Sequence, residues 1–219
     1  MPGPVLPDDT NAERELRALI LDYGNVLSHD QPANWFARVA DRLGVSDADL
    51  RTAYWSHRAG YDAGLPAAEY WQQVLASLPG GAERLRASVD WLIQADVASW
   101  TEFREEMWTL AKRFRDRGGR TAVLSNGVVD VTAAIRARRS LESWFDVVVV
   151  SCEVGCAKPD PQIYRLCLSR LAVDAADALF VDDRLENVEA AAALGLQTLH
   201  FVGTDALDRL RALIGDRAR

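Results

Sequence analysis

Four polar signals in this sequence have residue types that can do chemistry together. They are Asp22, the pair Ser125-Asn126, Lys158, and the pair Asp182-Asp183. A carboxylate such as Asp22 can attack phosphorus and form an acyl phosphate, which splits one hard displacement into two easier ones. That step brings two anions together, so it calls for a divalent cation, and Mg²⁺ prefers carboxylate, carbonyl and water oxygens. Asp182-Asp183 can supply a second carboxylate, and a loop carbonyl after Asp22 a third ligand. Two adjacent aspartates on one buried turn would repel strongly without a cation or a shared proton. Ser125 and nearby backbone N–H groups, at Asn126 and Gly127, can bind phosphoryl oxygens. Lys158 adds a fixed positive charge for the nucleophile and the transferring group.

Taken singly, an aspartate at a strand end is usually a turn or cap residue. Lys158 has the more telling setting. Lysine occurs only at positions 112 and 158, and every other basic side chain apart from histidine is arginine. Pro159 biases Lys158 out of the helical region. Asp160 and Pro161 then form a helix-opening pair, a capping side chain followed by a ring suited to the first turn. This predicts a lysine in a loop just before a helix, within reach of a strand edge.

The elements that must position these residues are legible as apolar runs. Ala18 to Leu21 ends at Asp22, Thr121 to Leu124 at Ser125-Asn126-Gly127, Val147 to Val150 at Ser151, and Ala178 to Val181 at Asp182-Asp183, with Thr198 to Val202 closing the series. Short, continuous apolar runs suit strands buried on both faces. Helical patterns separate them, at Glu102 to Arg117, Val129 to Arg138, Pro161 to Leu171, Asn187 to Leu194 and Ala206 to Ile214. The alternation predicts an α/β fold, a Rossmann-like parallel sheet with helices on both faces. Ligands in such sheets bind beyond the strand C-termini.

Residues 31–100 break the rhythm. They carry no clear strand, and their aromatics, Trp35, Phe36, Tyr54, Trp55, Tyr61, Tyr70, Trp71 and Trp91, recur at helical spacing. Turn signals at Gly44, Gly64-Leu65-Pro66 and Pro79-Gly80-Gly81 cut the stretch into helix-sized pieces. The reading is an inserted helical bundle at 31–100, an α/β core from 17–30 and 101–219, and a loose tail at 1–16. The tail has three prolines and no apolar h-region, so it does not read as a signal peptide.

With 219 residues, 49% hydrophobic and 26% charged, the chain has an ordinary globular composition. A net charge of −7 disfavours a general nucleic-acid surface. It also means that an anionic substrate needs a local cation. No run is long enough to span a membrane. Three cysteines, Cys152, Cys156 and Cys167, suggest free thiols in a reducing compartment, hence a cytoplasmic protein. Cys152 and Cys156 lack the neighbours of a zinc site and read as packing residues. The oligomeric state is left open.

The segments Asp22-Tyr23-Gly24-Asn25-Val26-Leu27, Val123-Leu124-Ser125-Asn126, Gly155 to Pro161, and Phe180-Val181-Asp182-Asp183 through Asn187 resemble the four motifs of the haloacid dehalogenase-like hydrolases. They look like the subgroup with a helical cap inserted after the first motif and an Asp-x-Gly-Asn-Val form of that motif, as in sugar-phosphate phosphatases. The resemblance implies a Mg²⁺-dependent phosphatase acting on a small phosphorylated metabolite. Asp22 would be the nucleophile and a metal ligand, and the Gly24 carbonyl a further ligand. Ser125, Asn126 and Gly127 would hold the phosphoryl group, and Lys158 would complete the site. Counting back from Asn187, Asp183 takes the place of the direct metal ligand, with Asp182 a ligand or its supporting partner. Asn187 would orient Lys158 or the metal's waters.

Most family phosphatases carry a second aspartate where this chain has Gly24, and it serves as general acid and base. Such help is worth about 10²–10⁴ in rate. Gly24 and Asn25 also suit a loop that needs positive φ. A carbon–halogen hydrolase needs no such acid, though relatives of that kind typically need no metal, against which Asp182-Asp183 argues. Phosphonoacetaldehyde hydrolysis would require a lysine between Gln31 and Trp100, and there is none. Phospho-accepting receivers place their acid pair first, not last. A catalytically weak, phosphate-binding regulator is a further alternative. The insert would set substrate choice, with Trp55, His57, Arg58, Tyr61 and Asp62 as pocket candidates and Arg58 and Tyr61 as substrate contacts. His57 and His29 are candidate proton donors, with Asp62 and Glu69 next, whereas His200 reads as structural.

Overall fold

The computed structural model describes residues 16–81 and 89–216. The tail expected at 1–16 therefore lies outside the described residues, except for its last position. Five strands form one parallel sheet, β1 (Ala18–Leu21), β2 (Arg120–Ser125), β3 (Val147–Val150), β4 (Ala178–Asp182) and β5 (Gln197–His200), in the order β3-β2-β1-β4-β5. The expected α/β architecture is what the chain adopts. β1 is central, and Leu21 is level with Val123 on one side and Val181 on the other. That register places Asp22 beside Asp182 and near Ser125 at one edge. The strand order turns back between β1 and β4, the kind of switch point where a crevice opens.

Alternation along the strands explains why the runs are apolar throughout. Ala18, Ile20, Ala122, Leu124 and Phe180 face one buried cluster with Ile163, Tyr164 and Cys167 of α10 (Pro161–Leu171). Leu19, Leu21, Val123, Leu179 and Val181 face the other, with Met107, Trp108 and Leu110 of α6 (Glu105–Asp116). Each strand side thus lies under a helical layer, as parallel sheets require. As expected, Asp160 caps α10, accepting from the Gln162 N–H at 2.8 Å, with Pro161 in its first turn.

Between β1 and β2 the described residues form α1 (Trp35–Leu43), α2 (Asp47–Ser56), α3 (Arg58–Asp62), α4 (Ala67–Ser77) and α5 (Val89–Ser99), with no strand. The aromatics expected to pack do so. Tyr54 makes edge contacts with Trp35, Phe36 and Tyr70, and Tyr70 stacks on Tyr61 at 4.1 Å. The core helices are completed by α7 (Val129–Arg138), α8 (Leu141–Trp144), α9 (Ser151–Val154), α11 (Leu185–Ala193) and α12 (Ala206–Leu213).

Three boundaries differ from expectation by two residues or more, each for a local reason. β5 stops at His200 because its partner β4 ends at Asp182, which is level with it. α6 starts at Glu105 because Phe103 bridges to Ser28 and the Arg104 N–H bonds the Leu27 carbonyl. α11 starts two residues early because the Asp182 side chain accepts the Arg184 N–H. The short helices α8 and α9 carry too little periodicity to be seen in sequence.

Candidate active site

Asp22 leaves β1 extended, its N–H bonded to the Val181 carbonyl at 2.9 Å. The chain then makes one wide turn over Tyr23–Leu27, with Asn25 in the left-handed region at φ 55°. Asparagine tolerates that region better than most residues. Gly24 does not need it: its φ is −62°, and a Cβ there would meet only the Trp100 ring at 3.6 Å. The expectation of positive φ therefore holds for Asn25 and is corrected for Gly24. The Asn25 side chain reaches across to donate to Asp183 Oδ2 at 2.8 Å.

Lys158 is the hub. Its buried ammonium lies 2.8 Å from Asp22 Oδ1 and 2.6 Å from Asp182 Oδ2, and donates to the Leu124 carbonyl at 2.9 Å. Its three protons are thereby spent. The loop that carries it is pinned by Asn126. The Asn126 amide donates to the Lys158 carbonyl at 2.8 Å, and its Oδ1 accepts the Lys158 N–H at 2.7 Å. The Asn126 side chain is therefore occupied with the lysine loop and not turned to a phosphoryl group. Gly127 is occupied too. Its N–H donates to Ser151 Oγ at 3.1 Å, and a Cβ would come within 2.7 Å of Val150. Glycine there permits close packing. Ser125 lines the cavity.

The two motif-four aspartates differ in what they have left to offer. Asp182 is fully buried and accepts from Lys158, from the Arg184 N–H at 2.8 Å and from Asn187 Nδ2 at 3.1 Å to each oxygen. Asn187 thus holds Asp182, and only through it Lys158. The Asn187 carbonyl is in turn fixed by the Tyr164 hydroxyl at 3.0 Å. Asp183 is less buried, and Asn25 bonds only its Oδ2. His200, read as structural, donates from Nε2 to the Asp183 carbonyl at 2.9 Å.

Asp22, Asp182 and Asp183 each offer an oxygen within 4.8 Å of the others. Burial raises the Asp22 carboxyl to about 7 despite the opposing pull of Lys158, and the neighbouring aspartates add to the rise. Asp183 is raised as well, first by burial. Burial disfavours the Lys158 charge, but Asp22 and Asp182 outweigh it and raise its pKa. Three carboxylates around one ammonium leave net negative charge in a dry place. A hard dication among oxygen donors fits that donor set.

Asp22, Asp183 and Lys158 line one cavity, and Asp182 is fully buried behind them. The insert contributes Trp55, Arg58, Asp62 and Trp100. Arg58 bonds Asp62 Oδ1 at 2.8 Å and the Tyr54 hydroxyl at 2.6 Å. Tyr61 does not line the cavity: it is buried against Tyr70 inside the insert. The Arg58 guanidinium lies over its ring at 5.5 Å, so Tyr61 sits behind Arg58 and not at the cavity surface. His57 pairs with Ser77 at 3.3 Å, and neither His57, His29 nor Glu69 reaches the cavity.

A family model described as haloacid dehalogenase-like hydrolase matches residues 9–195. The chain belongs to the haloacid dehalogenase-like hydrolases. Within this family it is similar to haloacid dehalogenase-like hydrolase domain-containing protein 3 of Mus musculus, 31% identical over 68% of this chain and 62% of the relative. It is also 25% identical to the phosphoserine phosphatase of Thermus thermophilus, over 84% of this chain and 88% of the relative. Other curated relatives are far longer, and the chain spans 10% and 20% of two that align at 38% and 34% identity. Among solved structures, a family enzyme of Bacteroides thetaiotaomicron in complex with magnesium and inorganic phosphate superposes with a TM-score of 0.72 at 17% identity, covering 89% of this chain and 98% of its own. A dehalogenase superposes at 0.62 and 21%, covering 85% and 84%. At these identities the structures speak for the fold.

In this hydrolase, sequence reasoning missed two parts of the site. Arg184 lines the cavity, and its only sequence signal is its place directly after Asp183. The apolar wall of Val128, Val131, Ile135 and Leu141 was also missed, because apolar residues at helical spacing read as core.

Proposed function

We propose that this hydrolase is a Mg²⁺-dependent phosphatase of a small phosphate monoester, with Asp22 as nucleophile. The observation that carries the reading is the cluster of Asp22, Asp182 and Asp183 around Lys158 at the sheet edge. Lys158 holds Asp22 Oδ1, which leaves Oδ2 to attack phosphorus. The new Oδ2–P bond forms as the ester P–O bond breaks, and the departing alkoxide takes a proton from water. A second water, losing its proton to the hydroxide that the first left behind, then attacks the aspartyl phosphate. Its P–O bond to Asp22 breaks, inorganic phosphate leaves, and the carboxylate is restored. Ser125 faces the phosphoryl oxygens, and Lys158 offsets their charge. A cation held by Asp22, Asp183 and the Gly24 carbonyl would neutralise the approaching anions. Asp183 suits the direct role because one of its oxygens is uncommitted, while Asp182 is saturated and instead orients Lys158. Asn126 and Gly127 act through the loop they brace.

Phosphate release from a broad ester panel, with Mg²⁺ and with chelator, tests the reading. Asp22→Asn should abolish turnover by at least about 10³-fold with the fold intact. Substantial residual activity would remove Asp22 from this role. Gly24 favours a second reading, carbon–halogen hydrolysis, because halide leaves without a proton. Halide release from a haloacid in chelator would establish that one instead.

A further inference from the structure

The cavity that holds Asp22 and Lys158 is walled largely by hydrocarbon. Val128, Val131, Ile135 and Leu141 on the core side and Trp100 from the insert all line it. Val128, Ile135 and Leu141 are at most 4% exposed, so this wall is closed to bulk water. Most polar groups away from the carboxylate cluster are already engaged, and Arg184, beside Asp183, pairs with Glu186. Arg58 is bonded to Asp62 and Tyr54, the Tyr23 hydroxyl donates to the Trp100 carbonyl at 2.7 Å, and Asn126 is held by the Lys158 backbone. On α7, Thr132 alone brings a polar side-chain atom to this wall.

A sugar or other polyol bound here would strand hydroxyls against Val131, Ile135 and Leu141. An unpartnered buried hydroxyl is costly, whereas each buried methylene is favourable. We propose that the alcohol part of the substrate is hydrocarbon in character, a chain or ring of several carbons without hydroxyls. The phosphate is held at Asp22, Lys158 and Ser125, and the apolar body lies along α7. This rests on the phosphatase reading, since the wall by itself selects only the leaving alcohol.

The test is phosphate release by the full chain with Mg²⁺ from n-alkyl monophosphates of increasing length. Glycerol and hexose phosphates serve as polyol comparators, and acetyl phosphate as an activated reference. Primary alkanols beyond propanol differ little in acidity, so length changes contact and leaves the chemistry alone. The expected kcat/KM rises about fourfold per methylene until the cavity is filled. A V131T/I135T variant, which adds a hydroxyl at both positions and trims one carbon at 135, should cut the preference for the longest ester by about tenfold. Competitive inhibition by n-alkylphosphonates should show the same length dependence in binding alone. Turnover of acetyl phosphate with a flat length series, or with polyol phosphates preferred, overturns the inference and leaves the phosphatase reading standing. Failure to turn over any phosphate ester, acetyl phosphate included, overturns the phosphatase reading and this inference with it.

Discussion

Asp182 and Asp183 are neighbours with opposite commitments, and that separates two kinds of variant. Asp183→Ala removes a carboxylate with a free oxygen, so it should raise the Mg²⁺ concentration for half-maximal activity by about tenfold or more. Asp182→Ala removes the anchor of Lys158 and should lower kcat with a smaller change in that requirement. Titrating activity against Mg²⁺ in both variants checks this, and a reversed ranking would exchange the two roles. Gly24 invites a second test. Without an acid at that position, log kcat/KM should fall steeply as leaving-group pKa rises. Asp62, the acid on the cavity wall outside the cluster, is tied to Arg58, while burial raises its carboxyl. Because Gly24 has negative φ and room for a Cβ, Gly24→Asp should fold normally and flatten the slope. A flat slope in the native chain would mean that a donor is already in place. At this scale the sequence showed which residues converge, because each follows an apolar run or a helix-opening pair. It did not show how amide groups such as Asn126 and Gly127 spend their hydrogen bonds, since their partners, Lys158 and Ser151, lie far along the chain.

β1, β3 and most of β4 were legible because burial leaves them apolar, whereas the helices hid which side they present. Arg58 and Tyr61 share α3 and both pack on the aromatic cluster, yet only Arg58 reaches through to the cavity. The same spacing that makes Val131 and Ile135 look like core makes them cavity wall. The insert also encloses a carboxyl that its periodicity does not reveal. Asp96 on α5 is fully buried, accepts the Tyr54 hydroxyl at 2.8 Å, and has no hydrogen-bond partner for Oδ2. Burial raises its pKa against the pull of Arg58, which already has Asp62. A folded carboxyl with raised pKa binds its proton more tightly than the unfolded one. Its contribution is therefore best below the unfolded value, near 4, and is lost as pH rises through the raised folded value. Asp96→Asn should remove that loss. Relative to the native chain, its Tm should be higher at pH 8 than at pH 4.5, by about 2–4 °C for each kcal/mol relieved. An equal Tm difference at both pH values would show that Asp96 does not titrate in this range.

At the scale of the whole molecule the acidic balance meets the carboxylate cluster. With a net charge of −7 and three aspartates converging on one ammonium, the folded chain should bind Mg²⁺ better than the unfolded chain does. Saturating Mg²⁺ at about 100 times its Kd would add about 2.7 kcal/mol of stability. A thermal melt should therefore shift upward with Mg²⁺ and revert with chelator, and Asp183→Ala should lose most of the shift. No shift in the native chain would leave the cluster without its cation. One more consequence follows from the pairing of β1. Its partners begin at Arg120 and Ala178, so the central strand leaves a ribosome well before either of them. Its second edge stays open until β4 emerges, long after α1–α5 have been made. Contacts so distant along the chain form slowly, and an apolar edge left waiting invites association with other nascent chains. During synthesis the fold therefore passes through an interval with its helical insert complete and its sheet unclosed, and that interval is when the chain would most need a chaperone.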